Sequence, residues 1–391
     1  MGGAVTPASA QTRSFTDFQA SHYLAALDGL RAVSILLVLL HHVGHLPFAF
    51  LLTLQDNGRY GVSFFFVISG FLICTLFLRE HRRTGGIALG KFYGRRTLRL
   101  LPLYYAALAL EVLLVYGAHQ YSPANQELFR DKLPAYLFYY SNWLSTATQG
   151  PFLCSWSLAV EEQFYLVFGL LLVVLPRRWL VGTLVAGLSI KFGVYQILGN
   201  VDVDSALLRV LFSYQEAILW GVLLAFALDH RGFYRLFEGL FRHSWLPAIL
   251  FAAIAGYLLG HRMRSQSTWD AELLYAAMTV IVAGLVIRRR TPILSAPLPV
   301  FIGKTSYGIY LLHMLVIGAV KKLPGGSQPV VCLLASAAIV IPLAALVYHY
   351  FELPIIRYYK SRLSPGLSPP RKAYPRVGGC GPAPAPPWPS S

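Results

Sequence analysis

The sequence predicts an all-α protein, a polytopic transmembrane helical bundle of about ten spans. Three observations carry that prediction. The 391 residues are 56% hydrophobic and only 13% charged, about half the charge content of a soluble domain, and the mean hydropathy is +0.55. Apolar runs near the ~20 residues that a bilayer requires recur along the chain. The connections between them alternate between strongly basic and weakly charged, the pattern that orients membrane helices.

The expected spans run at 27–46, 61–79, 99–117, 157–175, 179–198, 206–228, 245–260, 271–287, 301–320 and 329–350. The aromatic stretch at 133–147 is too short and too polar to cross, and its Tyr and Trp side chains suit an interface. Residues 291–300 leave room for a short re-entrant piece. The connection after the second span holds Arg79, Arg82, Arg83, Lys91, Arg95, Arg96 and Arg99; later ones hold Arg177 and Arg178, then Arg231, Arg235 and Arg242, then Arg288, Arg289 and Arg290. Read as cytoplasmic, these place both termini inside. Arg262, Arg264, Lys321 and Lys322 are outnumbered exceptions.

Three parts are expected: a polar cytoplasmic N-terminus at 1–22, a membrane domain at 23–360, and a disordered Pro/Gly-rich cytoplasmic tail at 361–391. The first residues lack an apolar signal core, so the first span itself would insert the chain. The net charge of +16 belongs to the basic loops and tail; in so apolar a chain it does not indicate a nucleic-acid partner. Cys74, Cys154, Cys332 and Cys380 are scattered without metal-ligand or disulfide spacing, so no metal is expected.

The first span carries the strongest chemical signal. Arg31 and His42 are eleven residues apart, three helical turns plus about 20°, and so share one helix face. The rise between them is roughly 16 Å, about half a bilayer core. With Arg31 near one surface, His42 is expected near mid-membrane, where ionisable groups are costly and mark functional sites. A neutral imidazole there suits proton abstraction from a hydroxyl or transient acyl carriage. The bland alternative is a histidine bonding two helices together. Asp28, His41 and His45 in the same segment favour chemistry, and His41 lies about 80° off the Arg31 face.

Arg96 and Arg99 lie one helical turn apart at the start of the third span and suit a phosphate; ordinary cytoplasmic charge is the alternative. Ser157, Glu161 and Tyr165 recur every fourth residue and form one polar stripe on the fourth span. Glu161 could orient His42 or bond a substrate hydroxyl, or with Glu162 simply sit at a helix N-terminus. Ser69 and Gly70 favour close packing, and no nucleophile elbow surrounds Ser69. His313, late in the ninth span, reads first as structural.

Taken in order, five segments resemble the acyltransferase 3 family of integral membrane acyltransferases. They are Leu27-Asp-Gly-Leu-Arg31 with ten residues before His42; Phe64-Phe65-x-x-x-Ser69-Gly70-Phe71; Arg96-x-x-Arg99; Trp156-Ser-Leu-x-Val-Glu161-x-x-Phe164-Tyr165; and Ser306-Tyr307-x-x-Tyr310-Leu-x-His313. They span residues 24 to about 360. The resemblance implies an enzyme that moves an acyl group, usually acetyl, from acyl-coenzyme A to a hydroxyl of a cell-surface carbohydrate or glycoconjugate, in a bacterial inner membrane. His42 would be the catalytic histidine, Arg31 its partner and Glu161 the retained acid, with Arg96 and Arg99 at the coenzyme A phosphates. Acyl-coenzyme A enters as donor substrate; no permanently bound cofactor is implied. The expected partners are the donor, the carbohydrate acceptor, the lipid bilayer and, in a homo-oligomer, a second copy. His41 departs from the aromatic that many relatives carry, leaving open which neighbouring histidine acts. The rivals are acylation of a small molecule such as a macrolide sugar, and a transporter of a lipid-linked sugar.

Overall fold

A computed structural model describes residues 12–363 except 22, 119, 145–149, 199–205, 243–244, 262–267 and 289–290. Among the described residues the structure is all-α, with no strand beyond an isolated bridge between Thr12 and Arg288. The helices are α1 (Phe15–Ala20), α2 (Ala25–His42), α3 (Ala49–Asn57), α4 (Tyr60–Thr84), α5 (Leu89–Val112), α6 (Pro123–Leu137), α7 (Ser155–Val174), α8 (Arg177–Leu198), α9 (Ala206–Ser213), α10 (Glu216–Asp229), α11 (Arg231–Leu240), α12 (Trp245–Gly260), α13 (Thr268–Ile287), α14 (Pro297–Lys321), α15 (Pro329–Val347) and α16 (Leu353–Leu363). Eight helices among the described residues are long and apolar enough to cross a membrane. The other two expected spans are present in altered form. Residues 206–228 break into α9 and α10, and the sixteen-residue α12 is shorter than the spanning length.

Several boundaries move for local reasons. The first span stops at His42 because Gly44, at φ 102°, turns the chain out of the helix. The third begins ten residues early, so Arg95, Arg96 and Arg99 lie inside α5, with Pro102 one turn later. The last runs on through a π-turn at Tyr348–Glu352 into α16. The stretch at 133–147 does not span: it ends α6 and forms a short turn at Ser141–Trp143. Residues 291–296 make a turn before α14, and the carbonyl of Leu294 lies against Gly29 of α2. Most of the proline-rich tail, together with Arg262, Arg264, Arg289, Arg290 and Cys380, lies outside the described residues.

The core is built on two tight helix pairs, α4 with α10 and α2 with α14. A Cβ on Gly70 would stand 2.0 Å from the carbonyl of Ile218, and one on Gly221 2.1 Å from that of Val67. Only glycine at both positions lets α4 and α10 come this close. Gly303 does the same on α14, where a Cβ would stand 1.8 Å from the carbonyl of Asp28. Apolar side chains outside the pairs point outward, among them Leu166, Leu170 and Val174 on α7 and Ile190 and Ile197 on α8. In a bilayer such faces meet lipid, so outward leucines do not count as errors of burial.

The basic connections gather at one end. There Arg82 of α4 and Arg177 of α8 both pair with Asp229 at the end of α10. Tyr234 of α11 donates to the carbonyl of Arg13, whose side chain bonds the carbonyl of Arg288 at 3.4 Å. The opposite end holds the last turn of α2, α3, α6, the first turn of α7, and the last turn of α14.

Candidate active site

At that opposite end a cavity of about 660 Å³ opens, a size suited to a drug-like or sugar-sized ligand. His41 and His42 reach it from α2, Trp156 from α7, Tyr310 and His313 from α14, and Asn142 from the short turn before α7. Nδ1 of His42 lies 2.8 Å from the carbonyl of Val38, one turn back on the same helix. A carbonyl only accepts, so Nδ1 carries the proton and Nε2 presents a lone pair, the tautomer a general base needs. His313 is built alike: its Nδ1 lies 2.6 Å from the carbonyl of Tyr310, and its buried Nε2 has no hydrogen-bond partner among the described residues. The two rings meet edge to face with centroids 5.0 Å apart. Nζ of Lys321 donates to the carbonyl of His42 at 3.5 Å.

His41 is held differently. Its Nδ1 bonds the carbonyl of Gln55 at 2.7 Å, and Gln55 ties down the turn after α2 through Leu40, Gly44 and Leu46. Its ring packs against His42 at 4.9 Å. His42 therefore stands between two aromatic neighbours that fix its plane.

A second polar cluster lies inside the bundle, toward the basic end. Arg31 pairs with Asp28 at 2.8 Å, and Tyr23 donates to the other oxygen of that carboxylate at 2.8 Å. Partial burial, reinforced by the bond to Asp28, pushes the Tyr23 phenol above its ordinary range, so it stays a donor. Arg96 lies over the ring of Tyr165 at 4.0 Å, bonds its hydroxyl, and pairs with Glu161 at 3.9 Å. Arg99 lies within electrostatic reach of Arg31, Arg96 and Glu352. Arg99 is exposed. Buried carboxylate oxygens of Glu162 and Glu352 have no hydrogen-bond partner among the described residues.

The polar stripe of α7 joins the two regions. Ser157 lies 2.6 Å from the hydroxyl of Tyr310, whose ring is 5.6 Å from that of His313. One turn along, Glu161 meets Arg96, and one turn further Tyr165 does too. The route runs from His42 through His313, Tyr310 and Ser157 to the arginines.

Residues 24–349 match the family model described as an acyltransferase domain, acyltransferase 3. The chain belongs to the acyltransferase 3 family. The protein called Putative O-acetyltransferase in Staphylococcus aureus strain COL is 31% identical over 370 residues, covering 88% of this chain and 59% of the relative. The O-acetyltransferase OatA of S. aureus strain NCTC 8325 is 27% identical over 362 residues, covering 85% of this chain and 57% of the relative. The chain thus spans about three fifths of the length of the curated relatives it matches. No solved structure matches it significantly.

Within this family frame, the structure brings some sequence-marked residues together and keeps others apart. Arg96, Arg99, Glu161 and Arg31 gather in one cluster, while His42 stands apart from them at the far end of α2, with His41 and His313. Arg31 and His42 share a helix but do not touch: Arg31 faces Asp28 and Arg99. Glu161 faces Arg96 rather than His42. Sequence reasoning passed over Glu352, Asn142 and Gln163. Asn142 lines the cavity and bonds Gln163 at 3.1 and 2.9 Å and Ser213 at 3.0 Å. The only local signal for Asn142 was a polar pair inside an aromatic stretch, and Glu352 is a lone acid after a long apolar run.

Proposed function

We propose that this chain is an acetyl-coenzyme A-dependent O-acetyltransferase that modifies a hydroxyl of a cell-surface carbohydrate, with both termini on the cytoplasmic side of a bacterial inner membrane. The observation that carries the reading is the His42 imidazole, held with a free Nε2 in a cavity large enough for a sugar. Membership of the family and relatives named as O-acetyltransferases support the reaction class.

In the mechanism, the acceptor occupies the cavity beside His42. Nε2 takes the hydroxyl proton as the oxygen attacks the thioester carbonyl. The carbon–sulfur bond breaks, and the proton returns to the leaving thiolate as free coenzyme A departs. Arg99, exposed on α5, holds the donor phosphates. Arg96, already engaged by Glu161 and Tyr165, fixes α5 to α7 and so positions Arg99. Arg31 and Asp28 hold the charge balance of the same region. His313 supports the ring of His42 and offers a second acceptor to a neighbouring donor on the substrate.

The test is release of free coenzyme A from acetyl-coenzyme A by the purified protein with a cell-envelope glycan extract. Wild type should release it, and His42→Ala should lose at least about a hundredfold, the low end for a positioned base. Undiminished release by the variant would remove His42 from the chemistry. No release from any acyl donor would instead favour transport.

A further inference from the structure

A second cavity, of about 1210 Å³, opens at the basic end, away from His41, His42 and His313, between α1, α8, α10 and α11. Four guanidinium groups line it, from Arg82, Arg177, Arg178 and Arg231, against the single carboxylate of Asp229. Asp229 engages Arg82 and Arg177. Arg178 and Arg231 have no hydrogen bond or ion pair among the described residues. Each lies at the start of its helix, where the backbone adds partial positive charge. The cavity therefore presents an excess of positive charge to whatever fills it.

Beside the polar Gln19 and His230, the wall carries an apolar stretch formed by Val181 of α8 and by Leu223 and Phe226 of α10. The rim has the character of a headgroup boundary. On α11, Phe233, Leu236 and Leu240 recur at helical spacing and are 54%, 66% and 47% exposed, while Tyr234 on the other face is fully buried. Such a helix lies in an interface with its apolar face in lipid. Trp179, in the first turn of α8, is likewise exposed, at the level where Trp side chains settle. A free phosphate would use the arginines and leave the apolar wall empty. An amphiphile with an anionic head uses both.

We propose that this cavity binds an acidic glycerophospholipid, with its phosphate on Arg178 and Arg231 and an acyl chain along Val181, Leu223 and Phe226. The site does not depend on the acyltransfer reading. Its occupant ties α8 to α11 and leaves Asp229 to its two arginine partners.

The experiment adds dioleoylphosphatidylglycerol or dioleoylphosphatidylcholine to the delipidated full chain in detergent and counts bound lipids by native mass spectrometry. One phosphatidylglycerol should persist where phosphatidylcholine is lost. The double variant Arg178→Gln/Arg231→Gln should weaken its retention roughly 30-fold, about 1 kcal/mol for each charge removed. Val181→Trp fills the apolar wall, keeps both arginines, and should also expel the lipid. Each variant is compared at an unchanged size-exclusion profile. Equal retention of the two lipids, or unaltered retention in both variants, would overturn the proposal. So would displacement of the lipid by inorganic phosphate or coenzyme A with Val181→Trp inert, since the cavity would then be a soluble-phosphate site.

Discussion

Arg96 and Arg99 are one turn apart on α5 yet meet different surroundings, and their substitutions should separate accordingly. Arg96 stacks on Tyr165 and pairs with Glu161, so its planar fork matters. Arg96→Ala leaves a buried carboxylate without its partner and should destabilise the protein by about 3–5 kcal/mol, seen as a lower Tm in detergent. Arg99 is exposed and holds no close ion pair among the described residues. Arg99→Ala should mainly raise KM for acetyl-coenzyme A, about tenfold, with the Tm nearly unchanged; a fall in kcat with KM constant would contradict a donor-binding role. The neighbouring histidines divide in the same way. His41→Phe keeps an aromatic ring against His42 and should retain activity within about tenfold, whereas His42→Gln should lose a hundredfold or more. The spacing of Arg31 and His42 was readable from the chain, because a helix fixes which residues share a face. Their separation into two sites was not, because Arg96 finds its partners on α7 and His42 meets His313 of α14, and no local pattern predicts which distant helix arrives.

At the scale of the helices, the α4–α10 pair is held at backbone contact by Gly70 and Gly221. Gly70→Leu should force the pair apart and cost about 3 kcal/mol, the upper end for overpacking, with loss of a monodisperse peak on size exclusion. The same substitution at Gly187, where a Cβ would meet nothing, should leave the peak intact. Most spans were legible from apolar runs alone, since length and composition decide whether a helix can cross. The division of 206–228 at Tyr214–Gln215 did leave a mark, the polar run Ser213-Tyr-Gln-Glu216 inside an otherwise apolar stretch. There Lys191 of α8 reaches the carbonyl of Tyr214 and pairs with Glu216 at 2.7 Å, satisfying the groups that the break exposes. The early start of α5 was hidden, because its basic residues read as loop charge until the helix places them inside the bundle.

The molecule as a whole has a basic end and a histidine end, and the proposed orientation puts them on opposite sides of the membrane. Cysteine introduced at Lys321, beside His42, should react with a membrane-impermeant maleimide in intact cells. Cysteine at Arg178 should react only after lysis; the reverse pattern would invert the topology. Both variants carry Cys380→Ser, and native Cys74, Cys154 and Cys332 are buried and should stay silent. The separation of the two ends has a further consequence. Arg99 sits at the level of Arg31, and α2 rises roughly 16 Å from there to His42. Under the proposed mechanism the bundle is a ruler: a donor anchored by its phosphates would reach the imidazole only if its reactive carbon hangs on an arm of matching length. Acetyl phosphate carries the same acyl group and the same kind of anionic anchor, but no arm, and at any concentration it should leave the acceptor unmodified.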